Sequence, residues 1–222
     1  MKLQLIVNIY LLICTGFGLW HGIVQILIRK TRTAYTHFIL FAALSMFLSR
    51  LTYVLSYAFY DGLPDRFNVG LLGFAAFFFF IFLANFGQMD LLLNDQDRAN
   101  LRYRILAMIV PIIELFFSLL ALFRGNSDLS VRIAFVIISV AAGSSGYFNL
   151  KHLLVPDIDF GIVRSIRGFN LIAFLAGIFT LSEIGLSVYG YEEFSVYVQI
   201  VLGILYACIV PVLIREVKRW TK

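Results

Sequence analysis

Seven long apolar runs dominate this chain, and they fix most of what it can become. They lie at about 4–28, 37–59, 69–93, 104–123, 131–153, 168–190 and 194–214. Each is close to the roughly 20 residues that carry a helix across a bilayer. Backbone N–H and C=O groups find no partner in lipid, so such runs must bond internally as helices. A transmembrane barrel would alternate polar and apolar residues at period two, and these runs do not. Composition agrees: 61% of residues are hydrophobic, 14% are charged, and the mean hydropathy is +0.90. A soluble domain carries about 25% charge. The expected fold is therefore all-α, a single domain over 1–222 forming an integral membrane bundle of seven transmembrane helices.

The connecting segments are short, among them "RKTRTAYT", "DGLPDRFN", "RGNSDLS" and "YEEF". Short loops make successive helices antiparallel, so the loops sort onto two sides. Thirteen of the eighteen Lys and Arg residues fall on one side: Arg29, Lys30, Arg32, Arg98, Arg102, Arg104, Lys151, Arg164, Arg167, Arg215, Lys218, Arg219 and Lys222. Four, Lys2, Arg66, Arg124 and Arg132, fall on the other. Basic loops stay in the cytoplasm, which predicts an outside N-terminus and a cytoplasmic C-terminus. The opening "MKLQLIV" resembles a signal peptide, but its apolar run continues to Ile28 without a small-x-small cleavage pattern. It is read as an uncleaved first span.

Arg50 belongs to neither side. It stands in "FLSRLTYVLSY", inside the second run, and Glu114 and Glu183 stand similarly inside the fourth and sixth. An ionisable residue near the bilayer centre costs about 2.5–3.5 kcal/mol on insertion scales, so such residues face the bundle interior and pair. At about 1.5 Å rise per residue, Arg50 and Glu183 differ in depth by about 3 Å, and Glu114 lies near the midplane. The expected network joins Arg50 to Glu183, or to Glu114. Tyr53 and Tyr57 share the face of Arg50, Thr180 and Ser187 flank Glu183, Ser118 follows Glu114, and Gln199 and Tyr206 share a face of the seventh run. With Asn8, they outline a polar pocket in the outer half. A buried ion pair that only fixes helix order explains the same residues.

A second polar set lies toward the cytoplasm and includes Asn85, Gln88, Asp90, Asn149, Lys151 and His152. It reads as interface polarity or as a cytoplasmic coupling site of Asn85, Gln88, Asp90 and Lys151, with Asp90 placed to pair with Lys151 or the basic loops. Gly18 and Gly22, and the cluster Ala141 to Gly146, let helix backbones approach. Pro111 and Pro211 are candidate kinks.

Several functions are disfavoured. A retinal protein needs a membrane lysine, usually in the seventh helix, to form its Schiff base, and the seventh run has none. The three histidines share no zinc-ligand spacing. No Gly-x-Ser-x-Gly or phosphate loop is present. The chain is expected to be no enzyme, to use no metal or other cofactor, and to bind no nucleic acid. Cys14 and Cys208 lie in apolar runs and suggest no disulfide framework.

The seven-run layout is similar to that of serpentine receptors, without their Asp-Arg-Tyr mark at the end of the third helix. It also resembles the seven-helix input module of microbial membrane sensors. The residues that carry this second resemblance are "RKTRTAYTHFILFAALSMFLSR", "FFFFIFLANFGQ" and "RILAMIVPIIELFF". The resemblance implies a receptor-like sensory module that signals to a separate cytoplasmic or membrane partner. A small ion or solute transporter or channel, and an accessory subunit of a membrane complex, are the alternatives. Sequence does not set the oligomeric state.

Overall fold

A computed structural model describes residues 2–29, 33–60, 62–64, 66–86, 101–155 and 166–220. The described residues are almost wholly helical and contain no strand. We number the helices α1 (Lys2–Gly22, continued by a π-helical stretch Ile23–Ile28), α2 (Ala34–Phe59), α3 (Val69–Asn85), α4 (Leu101–Arg124), α5 (Leu129–Leu154), α6 (Arg167–Val188) and α7 (Glu192–Trp220). All but α3 are long and apolar enough to cross a membrane, and α3 is a shorter apolar helix. The chain is a polytopic, multi-pass helical membrane protein. The expected third run to about 93 passes beyond the described residues, as do Gln88 and Asp90.

Local chemistry sets the helix ends. Thr33 and Thr36 form a capping box that starts α2 three residues before the apolar run does. Asn68 caps α3 through Leu71 N–H. Asp128 caps α5, its Oδ1 accepting the Ser130 hydroxyl at 2.5 Å and Ser130 N–H at 2.8 Å, and these bonds hold its carboxyl below the ordinary range. At the end of α6, Gly190 takes φ +83°, which a side chain would resist. Its N–H bonds Ser187 and that of Tyr191 bonds Leu186, the paired bonds of a Schellman turn.

The expected kink at Pro111 is found one turn earlier. α4 breaks at Met108, between Leu101–Ala107 and Ile109–Arg124. Proline lacks the N–H that would bond the carbonyl four residues back, so the ladder loosens at Ala107 and Met108. α7 continues through Pro211 and runs past the expected end at 214 to Trp220, with Val217 fully buried.

Neighbour relations place the helices in a ring, in the order α1, α2, α3, α5, α6, α7 and back to α1. α4 lies outside it, packed on α5, and most of its large apolar side chains are exposed. Small residues set the closest approaches. Gly203 of α7 leaves room for the Tyr10 ring of α1, whose hydroxyl donates to Ile200 O at 3.0 Å. Gly18 and Gly22 face α7, and a Cβ on either would press on Tyr206 O or on Leu40 and Val210. Gly73 of α3 sits against Ser45 and Ser49 of α2. The core between the ring helices holds Met46, Phe74, Phe77, Phe78, Ile81 and Phe169.

Candidate functional site

Arg50 enters the ring from α2 and is fully buried. Its guanidinium meets the Glu183 carboxylate of α6 as a fork: Nη1 donates to Oε1 at 2.7 Å and Nη2 to Oε2 at 2.5 Å. Two parallel charge-assisted bonds are the strongest geometry for this pair. Aromatic faces line the cation's remaining sides. Its central carbon lies 4.8 Å from the Phe74 ring centroid, 5.7 Å from Tyr206 and 5.8 Å from Tyr53. Such faces attract a desolvated cation. From α7, Gln199 Nε2 donates to Glu183 Oε1 at 2.7 Å. Thr180 and Tyr206 share a hydrogen bond of 2.6 Å one turn deeper.

The two ends of the ion pair differ in access. Arg50 is sealed, whereas Glu183 lines a cavity of about 350 Å³. The cavity walls come from one end of the bundle: Asn8 of α1, Tyr53 and Tyr57 of α2, Asn68 before α3, Asp128 before α5, Ser187 of α6, and Ser195 and Gln199 of α7. Two buried acceptors in this lining, Asn8 Oδ1 and Gln199 Oε1, have no hydrogen-bond partner among the described residues.

The structure thus brings together Arg50, Glu183, Tyr53, Tyr57 and Gln199 as expected. It does not bring Glu114 to them. Glu114 lies on α4, outside the ring, with its carboxylate against the backbone of Gly143 and Gly146. It borders a larger, mostly apolar groove of about 670 Å³ with Ile113, Phe117, Phe135 and Ile178. Its Oε2 has no hydrogen-bond partner among the described residues. Depth alone allowed an Arg50–Glu114 pair; the outer position of α4 removes it.

At the opposite end, Asn85 is buried and forms the hub of a polar layer. It accepts from Tyr35 Oη at 3.0 Å and donates to Asn149 Oδ1 at 2.7 Å and Asn170 Oδ1 at 3.3 Å. This layer ties α2, α3, α5 and α6 together. Lys151 is also buried, its Nζ 5.7 Å from the Phe148 ring centroid. Asn170 and Tyr35 were not evident from sequence. Nor was Glu216 of α7, whose Oε1 and Oε2 accept the N–H groups of Gly168 and Phe169 at 3.1 and 3.0 Å. A helix N-terminus leaves such donors unpaired, and here a carboxylate on the neighbouring helix takes them. An acid amid the basic "REVKRW" was the available signal.

Among the described residues, no group of three or more His, Cys, Asp or Glu side chains is placed to hold a metal ion. Comparison with protein-family models, curated proteins and solved structures finds no match to this chain. What the site and the fold define together is a class: a polytopic helical membrane protein with a buried ion pair beneath a polar cavity.

Proposed function

We propose that this chain is a receptor-like, seven-span membrane protein with its N-terminus outside and its C-terminus in the cytoplasm. A small molecule enters the cavity from outside, acts on Glu183, and the change reaches a separate signalling partner at the cytoplasmic face. One observation carries the reading: the ion pair's carboxylate faces a cavity at the cation-poor end of the bundle, while its arginine is sealed behind it. A pair serving only to order helices has no need of that asymmetry.

The route inward follows from the same two helices. α6 and α7 are tied near the cavity by Glu183 and Gln199, and at the far end by Glu216 and the first amides of α6. A shift of α6 against α7 at the cavity therefore strains the Glu216 cap. Packed helices respond to such strain by small rigid shifts.

The test places a surrogate occupant. Cys14 and Cys208 are replaced by Ala, and Ser187→Cys is labelled in intact cells with a bulky membrane-impermeant maleimide. Labelling from outside is expected. An Arg219→Cys variant in the same background is expected to label only after permeabilisation. Hydrogen exchange at Gly168 and Phe169 is then expected to rise in the Ser187-labelled protein. Reversed labelling sinks the orientation, and unchanged exchange sinks the coupling.

The transport alternative draws on the asparagine layer at the opposite end. Between the two polar layers, Met46, Phe74, Phe77 and Phe78 fill the ring, so passage requires these side chains to move. Solute flux into reconstituted vesicles tests it.

A further inference from the structure

The cavity's lining also specifies the chemistry of its occupant. This inference rests on the proposal that the cavity is a ligand site and adds the ligand's class. A carboxylate offers about four lone-pair positions. At Glu183, Oε1 receives Arg50 Nη1 and Gln199 Nε2, and among the described residues Oε2 receives only Arg50 Nη2. One acceptor position on Oε2 is left over.

The two unpartnered amide oxygens add to it, and their identity is fixed by their own amide nitrogens. Gln199 Nε2 points at a carboxylate oxygen and Asn8 Nδ2 donates to Gln4 O at 2.8 Å. Both of those partners are acceptors only, so the opposite atom of each amide must be the oxygen. Asn8 is 1% exposed and Gln199 5%. Burying such an oxygen without a partner costs about 1–3 kcal/mol. Among the described residues, the lining contains two carboxylates, Glu183 and Asp128, and neither Lys nor Arg. Asp128 adds a second carboxylate at the wall, with Arg66 and Arg132 near enough to act on it, and Tyr57 adds an aromatic side chain.

Surplus acceptors, no cation among the described residues of the wall and an aromatic side together describe a receiver of positive hydrogen-bond donors. We propose that the cavity binds a small organic ammonium compound, its –NH₃⁺ group directed to Glu183 Oε2 and, once small side-chain shifts uncover them, to Gln199 Oε1 and Asn8 Oδ1, which are fully buried in this structure. An ammonium carries three donors and no acceptor, which matches that set in number and kind. A carboxylate ligand would meet the same acceptors, none of which can donate to it.

Three probes of one shape and different charge test this: benzylamine, benzyl alcohol and benzoate, with the full chain in lipid nanodiscs at pH 7 and binding read by ligand-observed NMR. Benzylamine is expected to bind at least tenfold more tightly than either of the others. Asn8→Leu, which leaves the ion pair in place, is expected to weaken benzylamine at least threefold, and Glu183→Gln at least tenfold. Equal or tighter binding of the alcohol or the benzoate overturns the ammonium assignment. So does unchanged benzylamine affinity in Asn8→Leu, whose side chain bonds Gln4 O and not the ion pair. If none of the three binds, the assignment is likewise overturned. The Ser187→Cys labelling then decides separately whether the cavity is open from outside.

Discussion

At the level of single residues, Arg50 and Glu183 are worth more as a pair than either is alone. Removing one partner of a buried ion pair strands the other charge, at a cost of about 3–5 kcal/mol, whereas replacing both with apolar groups is often neutral or better. Arg50→Ala is therefore expected to destabilise the protein by about that amount. Arg50→Met combined with Glu183→Leu is expected to recover most of the loss. Thermal unfolding in detergent, read as a double-mutant cycle, checks it; additive losses would contradict the pairing. Glu114 behaves differently. It shares no partner with the pair and borders an apolar groove, so Glu114→Leu is expected to leave the unfolding temperature unchanged or raise it. The Arg50–Glu183 pair was legible in the sequence because depth along antiparallel spans can be counted in residues. Glu114 was misassigned because depth says nothing about which helices are neighbours.

At the level of elements, the helix ends and crossings carry the stability that apolar runs cannot supply. Glu216 holds the first amides of α6 from a different helix. Loss of a capping side chain costs about 0.5–2 kcal/mol, and Glu216→Ala is expected to fall in that range with faster hydrogen exchange at Gly168 and Phe169. Gly203→Val is expected to drive the Tyr10 ring out of its slot and cost about 1–3 kcal/mol, as overpacking does. A second change, Tyr10→Ala, is expected to restore part of it; unfolding midpoints of the three variants decide. The α5 cap adds a dependence on pH. Asp128 has a carboxyl pKa depressed in the folded state, so its contribution is present above the ordinary carboxylate range and is lost as pH falls through the depressed value. Exchange at Ser130 N–H, corrected for its intrinsic rate, is expected to speed up below that range, and Asp128→Asn is expected to remove the step. Element existence was plain from the apolar runs, since lipid leaves helices as the available form. The cross-helix cap was hidden: capping by a residue some 48 positions away leaves no local pattern.

At the level of the whole molecule, the ring order decides what the polar residues can do. Six helices enclose two polar layers with an aromatic stretch between them, and α4 stands outside on α5. Sequence separated the two layers correctly, because Asn8, Glu183 and Gln199 count from one end and Asn85 and Asn149 from the other. It could not close the ring. That closure comes from Gly18, Gly22 and Gly203, which bring α1 onto α7 across nearly the full length of the chain. Because α4 is peripheral, Glu114→Gln and Glu183→Gln are expected to combine additively, within about 0.5 kcal/mol, as sites without shared partners do.

The closed fork between Arg50 and Glu183 has an electrical consequence. Moving one elementary charge through the membrane field is worth about 2.3 kcal/mol per 100 mV. A guanidinium and a carboxylate joined by two hydrogen bonds at one depth carry no net charge through that field, whichever way their helices shift. Voltage therefore has no lever on the closed pair. An Arg50→Gln variant that folds leaves an unpaired carboxylate inside the span, and that lone charge is where sensitivity to membrane potential would begin.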